Sequence, residues 1–246
     1  MNVVDEASSG HLQAKVYGCR QVPEMDLRST TQGINLCFER WGLPQCIKID
    51  NGLPFVLPQS LTLPTKAKMW WIGLGIQVIQ NKVRCPQQNG AVEGSQGVLS
   101  SWSNPSGCEN AEELQQRLDQ ESDFQRNYYH MPNRANFTRI ELYPELEQNP
   151  RKYDPADFDI NRVYRYLSKQ VWQRSVKNSG EVKLFGVYVY VGQRYAKEKV
   201  TVTLDPLERQ WLFSLESGIF IKASQKGVPT SQEILEFALG DKEGTT

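Results

Sequence analysis

One change of hydrophobic period constrains the fold of this 246-residue chain more than any other feature. Up to about residue 146, short β-type runs alternate with stretches whose apolar residues recur every three or four positions. That alternation is the pattern of strands and helices layered in an α/β domain. From residue 171 onward only short β-type runs remain, over 171–176, 182–191, 199–204, 210–215 and 219–223. Turns of the Asn-Ser-Gly, Asp-Pro and Ser-Gly type break them, as expected of a small all-β barrel. Between the two regimes, Gln148-Asn149-Pro150-Arg151-Lys152-Tyr153-Asp154-Pro155 reads as a linker. The expected organisation is an α/β domain over 1–146, a linker over 147–160, a β-barrel over 161–226 and an acidic tail over 227–246.

Within the first region, 2–4 and 12–17 read as two strands joined by an Ala-Ser-Ser-Gly turn. Residues 25–41 read as a helix with Leu27, Ile34, Phe38 and Trp41 on one face and Gly42 just past its end. A short buried strand at 46–49 delivers Asp50 at its C-terminal end. A helix over 65–74, a strand over 76–79 and a loop over 83–89 follow. A helix then runs from 90 to about 102, and a polar helix over 110–128 carries Leu114, Leu118 and Phe124 as its apolar marks. The tail around 233–243 reads as a short, partly helical surface segment.

The balanced overall charge hides an uneven distribution. Residues 161–226 hold 12 Lys and Arg against 5 Asp and Glu, a net of +7, whereas residues 1–160 hold 15 against 19. A basic β segment behind a mildly acidic body suits a nucleic-acid grip attached to a metal-binding domain. The five cysteines (Cys19, Cys37, Cys46, Cys85 and Cys108) are odd in number and form no C-x-x-C pair, which argues against a disulfide framework or a zinc site. They fit a reducing cytoplasm, the expected location. No apolar run approaches the roughly 20 residues of a membrane span, so no membrane partner is expected.

Three blocks carry chemistry. Ile49-Asp50-Asn51-Gly52-Leu53-Pro54-Phe55 places an aspartate at a strand end before a tight turn. Trp70-Trp71-Ile72-Gly73-Leu74-Gly75-Ile76 lies between, and Trp70 and Trp71 read as core or helix-packing residues. Cys85-Pro86-Gln87-Gln88-Asn89-Gly90-Ala91-Val92-Glu93 runs into a helix with a glutamate on its first turn, 43 positions after Asp50. Carboxylates held on a rigid strand end and on a helix are the hard-oxygen ligands that Mg²⁺ favours. Taken alone, Asp-Asn-Gly is a common turn sequence, and Glu93 is a solvated helix carboxylate. Their order and spacing are the specific signal.

These blocks resemble the catalytic core of the DDE transposase and retroviral-type integrase family, in particular the bacterial insertion-sequence transposases. Asp50-Asn51-Gly52-x-x-Phe55 is similar to the block that carries the second catalytic Asp. Pro86-x-x-x-Gly90-x-x-Glu93 is similar to the block that carries the catalytic Glu. The resemblance implies an RNase H-like core, a mixed sheet flanked by helices. It makes Asp50 and Glu93 catalytic metal ligands for Mg²⁺ or Mn²⁺. It further implies metal-dependent cleavage and strand transfer in DNA integration, with two metals about 4 Å apart in the intact family. Phe124-Gln125-Arg126-Asn127-Tyr128 with Pro132 and Arg134 looks like the segment that closes such a core. The region from Trp172 to Val202 is similar to the SH3-like barrel behind it, which in the family contacts element DNA. Its basic candidates are Arg174, Lys177, Lys183, Arg194, Lys197 and Lys199. The implied partners are DNA, as element ends and as target, and further copies of the chain assembled on that DNA.

The chain departs from this family in two places. Asp5, Asp50 and Glu93 suggest a triad, but Val3-Val4-Asp5-Glu6-Ala7-Ser8 matches the end of the family's second strand, not the first strand that carries the first catalytic Asp. Asp5 therefore reads as a turn residue, and the first strand with its Asp is expected upstream of Met1. Without that Asp the expectation is an inactive chain, and the alternative function is a catalytically inactive remnant or an accessory DNA-binding protein. On the catalytic helix, Gln96, Gly97 and Ser100 stand where many relatives carry Lys or Arg, and Gly94 and Gly97 weaken the helix by roughly 1 kcal/mol each relative to Ala. His11 and His130 have no Cys or His at ligand spacing, and they read as structural or exposed residues.

Overall fold

The computed structural model describes residues 1–17, 26–49, 55, 63–81 and 90–240. They fall into two compact units, one formed by residues 1–56 and 78–154, the other by 57–77 and 155–246.

The first unit is built on a short hairpin. Strand β1 (Asn2–Val4) pairs antiparallel with β2 (His11–Ala14), with Val3 opposite Gln13 and a bulge before Val4 opposite His11. Helix α1 (Leu27–Trp41) starts at Asp26, whose carboxylate accepts from the Arg28 and Ser29 backbone N–H groups at 2.8 and 3.1 Å. Such a cap satisfies two of the donors that the first turn leaves free. Ile34, Cys37 and Phe38 on its inner face are buried. The helix stops at Gly42, where a positive φ of 78° and the Arg151 carbonyl leave no room for a side chain. Strand β3 (Cys46–Ile49) pairs with β4 (Gln77–Gln80), forming a second two-stranded sheet. Helix α3 (Gly90–Ser103) packs against β1, and α4 (Ala111–Asn127) packs against β2. A single-turn helix α5 (Arg139–Leu142) closes the unit behind a Thr138–Glu141 capping box.

Helix α4 differs from its sequence pattern. Phe124, read as one of its apolar marks, is 46% exposed, whereas Ser122, Gln125 and Arg126 are buried. The reason lies in the outer edge of β2, whose backbone groups point away from β1 and need partners. Gln115 binds the Val16 N–H and the Ala14 carbonyl, each at 2.8 Å. Gln125 binds the His11 N–H at 3.1 Å and the Ser9 carbonyl at 3.0 Å. The Arg126 guanidinium donates to the His11 carbonyl and lies 4.9 Å from the Trp41 ring. Polar helix side chains thus take the place of a neighbouring strand. The segment read as a linker is also tied down, since Asn149 donates to the Trp41 and Leu43 carbonyls at 2.9 and 3.2 Å.

The second unit begins with a helix that the sequence pattern assigned to the first. In α2 (Lys66–Gly73), capped by the Thr65 hydroxyl, Trp70 and Trp71 are fully buried. Trp70 stacks on Phe158 at 5.3 Å. An unanticipated helix, α6 (Ile160–Ser168), occupies the linker-to-barrel junction and buries Val163, Tyr164 and Leu167. Four strands follow in the antiparallel order β10-β9-β8-β5: β5 (Trp172–Ser175), β8 (Lys199–Asp205), β9 (Gln210–Leu215) and β10 (Phe220–Ser224). Val200, Val202 and Leu204 alternate inward on β8 and face the buried Trp211 and Phe213 of β9, the period-2 signature of a half-buried sheet. The single run read over 182–191 is a hairpin of β6 (Glu181–Leu184) and β7 (Val187–Tyr190). It turns at Phe185 and Gly186, both at positive φ. Helix α7 (Ser231–Leu239) is more than a surface tail, because Ile234 and Ala238 are fully buried and α7 packs against α2. Among the described residues no helix is long and apolar enough to cross a membrane.

Candidate functional site

Strand β3 runs up to Ile49, which is buried, so Asp50 follows directly on a strand end. Asp50 itself, with residues 51–54 and the loop 82–89, lies outside the described residues. Glu93 sits exposed on the first turn of α3, on a helix that buries Ser95, Leu99 and Ser103. Gly94 and Gly97 face open space. Among the described residues no group of three or more His, Cys, Asp or Glu side chains could hold a metal ion.

Asp5 is occupied locally. Its carboxylate accepts from the Ser8 N–H at 2.7 Å and from the Ser8 hydroxyl at 2.6 Å, closing the turn after β1. The neighbouring Glu6 pairs with Lys48 on β3 at 2.9 Å. The expectation that Asp5 is a turn residue agrees with this geometry.

The six basic candidates of the second unit lie on several different elements. Lys177 and Lys183 converge on Tyr188, their ammonium groups 4.1 and 5.9 Å from its ring centre. Lys177 also donates to the Tyr188 hydroxyl at 2.9 Å. That hydrogen bond, helped by the two positive charges, holds the Tyr188 phenol below its ordinary pKa. Arg194 stacks on Tyr195 at 4.7 Å. Lys197 sits in a turn at φ 70°, and Lys199 opens β8 opposite Ser175. Arg174 is half-buried, donates to its neighbour's carbonyl and has its pKa lowered by desolvation.

The hairpin face has members that charge counting missed. Lys183 stands directly opposite Tyr188, and Glu181 opposite Tyr190. Both tyrosines point outward while Val182, Leu184 and Val189 point in. Tyr190 is 55% exposed, and Lys222 reaches its carbonyl at 3.0 Å. The signal was present as the alternation Val-Tyr-Val-Tyr, whose outward half is aromatic.

No family model matches the chain. What the described residues offer chemically is an exposed helix carboxylate in the first unit and an exposed tyrosine–lysine face in the second.

Proposed function

We propose that the chain is a DNA-acting protein of the strand-transfer type, in which Asp50 and Glu93 are catalytic carboxylates and the second unit grips DNA. The observation that carries this reading is the order and spacing of Asp50-Asn51-Gly52-x-x-Phe55 and Pro86-x-x-x-Gly90-x-x-Glu93. Two structural features support it: a strand ending immediately before Asp50 and a helix presenting Glu93 to solvent from its first turn. In this reading the first unit corresponds to an RNase H-like core and the second to an SH3-like barrel. The protein works in the cytoplasm on element ends and target DNA, as an assembly of copies on that DNA. The donor set of two carboxylates fits Mg²⁺ or Mn²⁺, which when bound supplies charge neutralisation at the phosphodiester. Lys177, Lys183 and the neighbouring tyrosines contact phosphate and sugar, which positions DNA without reading its sequence.

A second reading, a DNA-binding protein without catalysis, is favoured by one observation. Asp5 is engaged in its own turn, and the neighbouring Glu6 is paired with Lys48. Strand-transfer and end-cleavage assays on the full chain with Mn²⁺ separate the two. Activity lost in Asp50→Asn and in Glu93→Gln establishes the enzyme. Salt-sensitive duplex binding with no cleavage establishes the binding protein, and neither activity sinks both readings.

A further inference from the structure

The first unit contains a cavity of about 470 Å³ that takes no part in the proposed chemistry. One wall is the α3 stripe Gly90, Gly94, Val98 and Trp102, each four residues on from the last. Glu93 is not in that stripe. The other walls come from the turn after β1, from α4 and from the segment after it.

Some polar groups around this space are already paired: the Ser8 hydroxyl donates to Asp5, and Gln125 binds the His11 N–H and the Ser9 carbonyl. His11 is fully buried behind this wall, with the Ser95 backbone beside its ring. A buried polar group left unpaired is costly and calls for an explanation, such as a ligand that pairs with it. Arg139 spends one guanidinium nitrogen on the Gln125 carbonyl at 3.0 Å, while its buried Nε–H has no partner. Arg134 adds a second guanidinium at the exposed rim. No Asp or Glu lines the space among the described residues. Trp102 and Tyr129, with ring centres 5.3 Å apart and planes tilted by 58°, supply aromatic faces.

We propose that this cavity binds a mononucleotide: guanidiniums of Arg139 and Arg134 hold the phosphate, and the base lies against one face of the Trp102–Tyr129 pair. Guanidinium forks match phosphate oxygens in geometry and charge. The volume lies in the range of small-molecule sites, roughly 300–1,000 Å³. The site is independent of the strand-transfer reading, because it uses neither Asp50 nor Glu93 and needs no metal.

The test is a titration of the full chain with adenosine 5′-monophosphate in EDTA, followed by calorimetry and tryptophan fluorescence. Saturable one-to-one binding is expected, with adenosine and inorganic phosphate each at least about tenfold weaker, the equivalent of one lost contact worth about 1.4 kcal/mol. Arg139→Gln should weaken binding by a similar factor. Because that residue also braces Gln125, Gly94→Leu is the cleaner variant. A side chain there enters open space in the cavity and replaces a helix-weakening glycine, so the fold is retained while the site is filled. Loss of binding in Gly94→Leu with unchanged circular dichroism supports the assignment. The proposal is overturned by no saturation up to millimolar nucleotide, by equal binding of adenosine, or by full affinity in Gly94→Leu. Binding of a 12-nucleotide single strand but not of the mononucleotide overturns it too, and would make the space part of a nucleic-acid groove.

Discussion

At the scale of single residues, the fully buried His11 and the buried Arg126 carry the most consequence. Burial drives the His11 pKa down from 6.5 to about 4, and the positive charges of Arg139 and Arg126 push the same way. The folded state therefore keeps the ring neutral while the unfolded chain protonates it below about pH 6.5. The stabilisation is fully present above pH 6.5 and is lost as the pH falls toward 4. Lowering the pH from 7 to 5 should cost on the order of 2 kcal/mol through this group. Urea unfolding at the two pH values measures it, and His11→Asn should remove that part of the pH dependence. An equal pH response in the variant would reassign the effect to other groups. Arg126→Met keeps an apolar side chain of similar length but removes the guanidinium over Trp41 and strands the buried His11 carbonyl. The expected loss is about 2 kcal/mol, read as a lower urea midpoint at unchanged slope.

At the scale of elements, the β6–β7 hairpin is an exposed surface with an apolar underside. Its strands hold Val182, Leu184 and Val189 inward, which fixes Lys183, Tyr188 and Tyr190 outward by the two-residue period. Reversing charge at Lys177 and Lys183 together should weaken binding of the full chain to a random duplex equally across sequences. The log–log salt slope should become shallower by about 2, given roughly 0.9 per phosphate contact. Lys199→Glu, on β8, tests whether the grip extends beyond the hairpin. Wild-type affinity and slope in both variants would move the interface off this unit.

At the scale of the whole molecule, the division into units cuts across the chain order. Residues 57–77 belong with 155–246, and α2 supplies Trp70 to stack on Phe158 and a surface for α7. A fragment starting at 155 thus lacks two fully buried tryptophans. It should bind a hydrophobic dye and melt well below the full chain, since losing one buried aromatic side chain alone costs about 3–5 kcal/mol. A cooperative transition at the full chain's temperature would show that α2 is dispensable to the unit.

Local signals were enough for most elements. Asp26, Thr65 and Asn110 announce helix starts, Gly42 announces a stop, and alternating Val, Leu and aromatic residues announce the strands of 199–215. These rest on interactions within a few residues, which any reading of the chain contains. The candidate carboxylates, too, were legible only as sequence blocks, from the order of Asp50 and Glu93. What needed the tertiary structure was the allegiance of each surface. Helix α2 is apolar over most of its length, so its pattern names no partner. Helix α6 is only nine residues long and directly follows the proline-containing segment, so it was absorbed into the span read as all-β barrel. Gln115, Gln125 and Arg126 look like solvent-facing residues until the open edge of β2 is laid beside them. Their burial depends on the unsatisfied backbone of a strand about 100 residues away in the chain, and a requirement set by a distant backbone leaves no local trace in the sequence.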